Sequence, residues 1–155
     1  MSSSNRALAR LREYRADDFA RLWELDQMCF PEGIAYTPDE IALGLLQPGA
    51  FALVAEVEDR VVAFVLTTQH RRPTGHIVTI DVHPEFRRQR IGERLMDLAE
   101  QRLKRQGAQR VILEASTGNA PALAFYRQRG YLNKRLLPNY YRGGSDASLM
   151  EKTLS

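Results

Sequence analysis

Between Val78 and Arg94 the chain reads Val78-Thr79-Ile80-Asp81-Val82-His83-Pro84-Glu85-Phe86-Arg87-Arg88-Gln89-Arg90-Ile91-Gly92-Glu93-Arg94, a β-rich run that turns at a proline into a helix start with four arginines and a glycine. Unbonded amides at a helix N-terminus converge on one spot, and the helix dipole adds partial positive charge there. A phosphate or diphosphate is the natural occupant of such a spot. Arg87, Arg88 and Arg90 would reinforce it; a solvated basic turn is the alternative. Other chemistries have less support. Cys29 is the only cysteine and lies between Met28 and Phe30, where a small buried hydrophobe is expected rather than a nucleophile. His70, His76 and His83 form no recognised ligand spacing and have no second cysteine to join them, so they read as ordinary surface or loop histidines and no metal is expected.

The elements that must position this segment follow from periodicity. Leu8 to Arg12 alternates like a half-buried strand, and Phe19, Leu22, Trp23 and Leu25, with Met28 beyond, recur at near-helical spacing until Pro31 and Gly33 break the pattern. Thr37-Pro38-Asp39-Glu40 places a hydroxyl at a cap, proline in the first turn and a carboxylate at the third position, which predicts a helix to about Leu46. Phe51 to Val57 and Val61 to Thr68 form a hairpin about Glu58-Asp59-Arg60, and His76 to Val82 is a further strand. From Ile91 a stripe of Leu95, Leu98, Ala99 and Leu103 marks a helix with Gly107 at its stop. Val111 to Leu113 is a short apolar strand, Asn119 to Arg129 a helix ended by Gly130, and two last strands fall at Tyr131 to Leu137 and Ala147 to Lys152. This order describes an α/β or α+β layered domain with a mixed sheet.

With 155 residues the chain is long enough for one disulfide-free core, and residues 1–155 read as a single domain whose first six residues are a disordered tail. No apolar stretch spans a bilayer and the start lacks a secretory signal, so a cytoplasmic, non-membrane protein is expected. Twenty-two basic against 19 acidic residues give a net charge of +3, which suits an anionic ligand and falls short of the bias of many nucleic-acid binders.

The stretch Arg87-Arg88-Gln89-Arg90-Ile91-Gly92 resembles the acetyl-coenzyme A signature of the Gcn5-related N-acetyltransferase (GNAT) superfamily, Arg/Gln-x-x-Gly-x-Gly/Ala, with Gly92 at the second glycine and Arg90 replacing the first. The resemblance runs on through Cys29-Phe30-Pro31-Glu32, Asp81-Val82-His83-Pro84, Leu113-Glu114, Asn119-Ala120 to Tyr126, Gly130-Tyr131, Asn139-Tyr140-Tyr141, and Asp146-Ala147 with Met150. Within the superfamily it looks most like the branch acetylating protein N-termini, RimI-like ribosomal-protein alanine acetyltransferases and their archaeal relatives. The resemblance implies a mostly antiparallel mixed sheet of about seven strands flanked by about four helices. It implies acetyl-coenzyme A as cosubstrate, its pantetheine arm held by backbone of Ile80 and Val82 where two strands splay. The amides from Arg88 through Gln89, Arg90, Ile91, Gly92 and Glu93 to Arg94, with Arg87 beside them, would hold the diphosphate. Asn119 would orient the thiol end, Tyr126 would contact the cofactor and protonate the departing thiolate, Glu114 would be the general base, and the Val82 amide the oxyanion donor. Tyr140 and Tyr141 would line one side of the substrate groove, with Pro31, Ile34 and Tyr36 opposite. After Glu114 the family pattern continues Val-Arg; this chain has Ala115-Ser116.

Such a reaction needs a neutral amine, a donor for the developing oxyanion and a proton for the thiolate. An N-terminal amine, with a pKa of about 7.7 to 8.0, needs far less help from a base than lysine at about 10.4. A protein or peptide N-terminus, a ribosomal protein among the candidates, is therefore the expected partner. Alternatives are lysine or small-amine acetylation on the same fold, a non-catalytic acyl-coenzyme A sensor, and a nucleic-acid-binding module using the cluster from Arg87 to Arg94 together with Arg71 and Arg72. Because these arginines flank a glycine-containing helix start without interleaved aromatics, nucleic acid is not expected as the primary ligand.

Overall fold

The computed structural model describes residues 8–155, so the expected disordered tail at 1–6 lies outside the described residues. Seven strands, β1 (Arg10–Glu13), β2 (Phe51–Val57), β3 (Arg60–Arg71), β4 (Thr74–Val82), β5 (Arg110–Ser116), β6 (Leu132–Leu137) and β7 (Ala147–Thr153), form one sheet. Its order is β1-β2-β3-β4-β5-β7-β6. Four helices, α1 (Phe19–Cys29), α2 (Pro38–Leu45), α3 (Ile91–Arg105) and α4 (Ala120–Gln128), lie between the strands in the chain. Every pairing is antiparallel except β4 with β5.

The sheet is covered on both faces. Leu53, Ala55 and Val57 pack in the core that receives Ile91, Leu95, Met96, Ala99 and Leu103 of α3, while Ala52, Val54, Phe64 and Leu66 pack against Leu22 and Leu25 of α1. All seven residues of β2 are buried for this reason, six of them apolar and the seventh, Glu56, paired with Arg10 and Arg12 of β1. In β5 the alternate residues Val111, Leu113 and Ala115 enter the α3 core. Ile112, Glu114 and Ser116 therefore point to the face that carries α1 and α2.

Local signals account for the element ends. Thr37 accepts the Glu40 amide at 3.2 Å and the Glu40 carboxylate accepts the Thr37 amide at 2.9 Å, the reciprocal cap expected from the sequence. The β2–β3 hairpin turns through Glu58 and Asp59, both left-handed, between the paired Val57 and Arg60. That is the backbone a two-residue hairpin demands, here reached without glycine. In the interior, Glu100 of α3 accepts bonds from the Tyr131 hydroxyl (2.7 Å) and Lys152 (2.8 Å) and pairs with Arg129 (3.1 Å), tying α3 to the end of α4 and to β7. Among the described residues no helix is long and apolar enough to cross a membrane.

Candidate active site

Between β4 and β5 the ladder is short, covering Thr74 to His76 against Arg110 to Ile112. Beyond it the two strands part, while β5 continues its pairing with β7 as far as Ser116 opposite Ala147. The His83 amide donates to the Val62 carbonyl at 2.8 Å, and Ala63 stands opposite Val82. Antiparallel neighbours alternate between bonded and non-bonded pairs, so Asp81 and Thr79 bond β3 while the N–H and C=O groups of Ile80 and Val82 turn toward the gap. Two donors confirm the direction: the Cys29 thiol (3.4 Å) and Arg87 Nε (3.1 Å) both reach the Val82 carbonyl. Cys29 is partly buried and its thiol is pushed up to about 11, mainly by burial and then by Asp81, which keeps it protonated.

Past Val82 the chain makes a 3₁₀ turn and enters α3. His83 Nδ1 accepts the Glu85 amide at 3.1 Å, and the ring is buried, unlike the ordinary surface histidine expected here. Arg88 and Arg90 have φ of 64° and 63°. Arg90 thus adopts the left-handed conformation that favours glycine, at a cost of about 1 kcal/mol. The first helical bond runs from the Arg94 amide to the Arg90 carbonyl (3.0 Å), so the amides of Ile91, Gly92 and Glu93 precede any intrahelical acceptor. No side chain caps α3, whereas Thr37 caps α2 and Asn119 caps α4 through the Ala122 amide (3.2 Å). A Cβ at Gly92 would stand 3.5 Å from Phe125 Cζ and 3.7 Å from Val82 Cγ2, ordinary contact distances. Protein packing therefore does not demand glycine here; the missing side chain leaves the space between the first turn of α3, Val82 and Phe125 open.

A cleft lies along the gap, lined among others by Ile34, Tyr36, Glu114, Asn119, Tyr126 and Tyr141. Glu114 stands inside β5 rather than at its end, because the strand runs on to Ser116. Its Oε1 is 2.7 Å from His76 Nε2. His76 stands on the strand expected for it but is not an ordinary surface histidine: it sits on β4 where the two strands last pair, next to the carboxylate. Tyr36, Tyr140 and Tyr141 gather around Glu114, and each phenol is raised first by burial and then by neighbouring charge, Tyr140 to about 12. All three remain neutral donors at physiological pH. The Tyr36 hydroxyl donates to the Val78 carbonyl (3.2 Å), and Tyr140 meets Tyr141 edge-to-face at 4.9 Å.

Tyr126 approaches from the opposite face of the sheet. Its ring packs edge-to-face with Phe125 (5.4 Å) and Tyr131 (5.9 Å) on the α3 side, and its hydroxyl has no hydrogen-bond partner among the described residues. Burial, and secondarily the Asp81 charge, raises this phenol, so it too is a proton donor at neutral pH. Core packing and presence at the cleft are thus both true of Tyr126. Pro31 does not line the cleft; it is exposed at the start of the turn, and its carbonyl accepts the Ile34 and Ala35 amides. Val82, Tyr140 and residues 87–94 also stand outside the cleft lining.

Two further acids escaped sequence reasoning. Asp26 of α1 and Asp81 of β4 are both buried; Thr79 Oγ1 donates to Asp81 at 2.6 Å, and Asp26 accepts the Tyr36 amide at 2.7 Å. Burial, then the adjoining Asp26, pushes the Asp81 carboxyl well above the usual range. Their 55-residue separation left no local signal. Among the described residues no group of three or more His, Cys, Asp or Glu could hold a metal ion.

Comparison with known proteins places this arrangement. Residues 17–131 match the acetyltransferase (GNAT) family model. An N-alpha-acetyltransferase of Sulfurisphaera tokodaii is 29% identical over 94% of this chain and 93% of its own. The crystal structure of Ard1 from Thermoplasma volcanium superposes with a TM-score of 0.87 at 28% identity, covering 95% of this chain and 98% of that one. The ribosomal-protein-S18-alanine N-acetyltransferase of Escherichia coli shares the fold at a TM-score of 0.82 and 21% identity, over 96% of this chain and 95% of that one. The chain belongs to the acetyltransferase (GNAT) family and is an N-acetyltransferase.

Proposed function

We propose that this enzyme transfers acetyl from acetyl-coenzyme A to the N-terminal α-amine of a protein or peptide, by direct attack in a ternary complex. One observation carries the reading: a carboxylate and a phenol enter the same gap from opposite faces of the sheet, beside backbone groups of Ile80 and Val82 that β3 does not use. Two substrates can therefore approach one point from two sides.

The free amides of Ile91, Gly92 and Glu93, with Arg87, Arg88, Gln89, Arg90 and Arg94 around them, suit a diphosphate, and the opening beside Gly92 suits its close approach. Ile80 and Val82 would hold the pantetheine arm as an added strand. The bound cofactor supplies the thioester acyl group. On the other face, Ile34, Tyr36, Tyr140 and Tyr141 receive the first residues of the peptide. Glu114 takes a proton from the α-amine, directly or through a water, and His76 fixes the orientation of its carboxylate. The nitrogen bonds the acyl carbon as the carbon–sulfur bond breaks; the Val82 amide donates to the carbonyl oxygen as charge builds there. Tyr126 gives its proton to the leaving sulfur, and Asn119, at the α4 cap, borders that end of the cleft. The names of two relatives, from Escherichia coli and Sulfurisphaera tokodaii, support a protein N-terminus, with a ribosomal protein among the candidates.

The test is a mixture of the protein, acetyl-coenzyme A and peptides differing only in their first residue, plus N-terminally blocked peptides containing lysine, read by mass spectrometry. Acetyl on the α-amine of unblocked peptides is expected. Acetyl found solely on lysine would overturn the reading.

A further inference from the structure

Helices α1 and α2 lie over β3 and β4, and the part of the same sheet face made by β5, β7 and β6 extends beyond them. Strand pairing fixes which residues stand there. Glu114 is opposite Leu149 and Leu149 opposite Arg135; in the next row on that face, Ile112 is opposite Glu151 and Glu151 opposite Leu132. Directly opposed residues share a face, so both rows stand with Glu114 and Ile112 on the α1 side. The pair between them, Leu113 and Met150, enters the α3 core instead. Ile112 and Leu149 are half-buried, Leu132 is 66% exposed, and Arg135 is exposed as well. Lys134 approaches Glu151 at 3.9 Å, whereas Arg135 has no hydrogen-bond or ion-pair partner among the described residues. The result is a largely apolar shelf with one unpaired cation, which starts at the proposed general base and runs to the free edge of β6.

We infer that this shelf receives the substrate polypeptide beyond its first two residues, and that Arg135 selects an acidic side chain there. Neighbouring strands are about 4.8 Å apart, which puts the Arg135 backbone about 10 Å from that of Glu114, two strands away. An extended peptide advances about 3.3 Å per residue. With its α-amine at Glu114, its fourth residue therefore stands over Arg135, and the reach of the guanidinium spreads the contact over residues three to five. Leu149, midway, meets the peptide with an apolar side chain. The peptide is the occupant because the shelf is continuous with the cleft it must enter; a second copy seated there would cover Glu114 too and shut the substrate out. The inference rests on the proposed α-amine acetylation, and names the class of sequence on which it acts.

The experiment uses peptides with a free N-terminus that share their first two residues and carry Glu, Gln or Lys at position three, four or five of an otherwise neutral sequence. The readout is kcat/KM of wild type, Arg135→Ala and Arg135→Glu at low and high salt, with coenzyme A affinity and Tm as controls. Wild type is expected to favour Glu over Lys about fivefold at low salt, through KM and at one or more of the three positions, the upper range for an exposed ion pair. The preference fades at high salt. Arg135→Ala abolishes it and Arg135→Glu reverses it. No charge preference in wild type at these positions, or one that survives both substitutions, overturns the inference. So does a dimer, seen by sedimentation, that Arg135→Glu or Leu132→Asp dissociates, because the shelf then belongs to a second copy. Failure of wild type to acetylate the α-amine of every one of these peptides overturns the function proposed above instead, and is visible before any variant is compared.

Discussion

Replacing Glu114 with glutamine retains the side-chain shape and an oxygen that accepts from His76 Nε2, now 2.7 Å from the carboxylate, so the change removes proton acceptance and leaves the cleft as it is. A general base contributes about 10²- to 10⁴-fold. An α-amine is already about a tenth neutral at pH 7, which places the expected loss near the lower bound, about 10² or 2.7 kcal/mol of transition-state stabilisation. The pH dependence separates base loss from structural damage. Without the carboxylate only neutral amine reacts, and its fraction rises about sixtyfold between pH 6 and pH 9 for a pKa near 7.8. The deficit of the variant relative to wild type should accordingly be large at pH 6 and shrink steeply by pH 9. Steady-state kcat/KM on one peptide across that range, with coenzyme A affinity as a control, measures it. A deficit of constant size at every pH would refute the assignment of Glu114 as base.

Tyr126→Phe keeps the packing against Phe125 and Tyr131 and removes the proton donor; kcat should fall about 10²-fold with coenzyme A affinity nearly unchanged, by stopped assay and calorimetry. Tyr131→Phe deletes the hydroxyl that donates to the buried Glu100 at 2.7 Å and should cost about 2 kcal/mol, a fall in Tm of about 4–8 °C by calorimetry. The folded state holds the Asp81 proton to a pH well above that at which an unfolded aspartate releases it, near 3.8, so this group draws stability down as pH rises above about 4. Asp81→Asn should remove that loss, and the Tm difference between variant and wild type should grow in favour of the variant from pH 4 to pH 7; a difference independent of pH would contradict it.

How much of this was legible in the residues depends on the range of the signal. The α3 stripe and its Gly107 stop, the Thr37 cap and the strand preceding Pro84 are written within a few residues, and all stand in the structure close to their expected bounds. Arg90 in a glycine position read as a departure from the family signature; the backbone shows an arginine taking the left-handed turn itself. The His76–Glu114 contact joins residues 38 apart and exists only because β4 and β5 pair at one end before parting. Asp26 with Asp81 likewise depends on how α1 and β4 stack, which no window of sequence encodes. Pro31 shows the converse: a motif residue whose turn places its neighbours Ile34 and Tyr36 in the cleft and leaves the proline in solvent.

The central claim is that one cofactor bridges the helix start at Ile91 and the parted strand at Val82. Titration of isotope-labelled protein with acetyl-coenzyme A, followed through backbone amide resonances, tests it directly. The largest changes should fall on the amides of Ile80 and Val82 and of Ile91, Gly92 and Glu93. Saturable binding that leaves those five amides unmoved, or no binding at all, would contradict it.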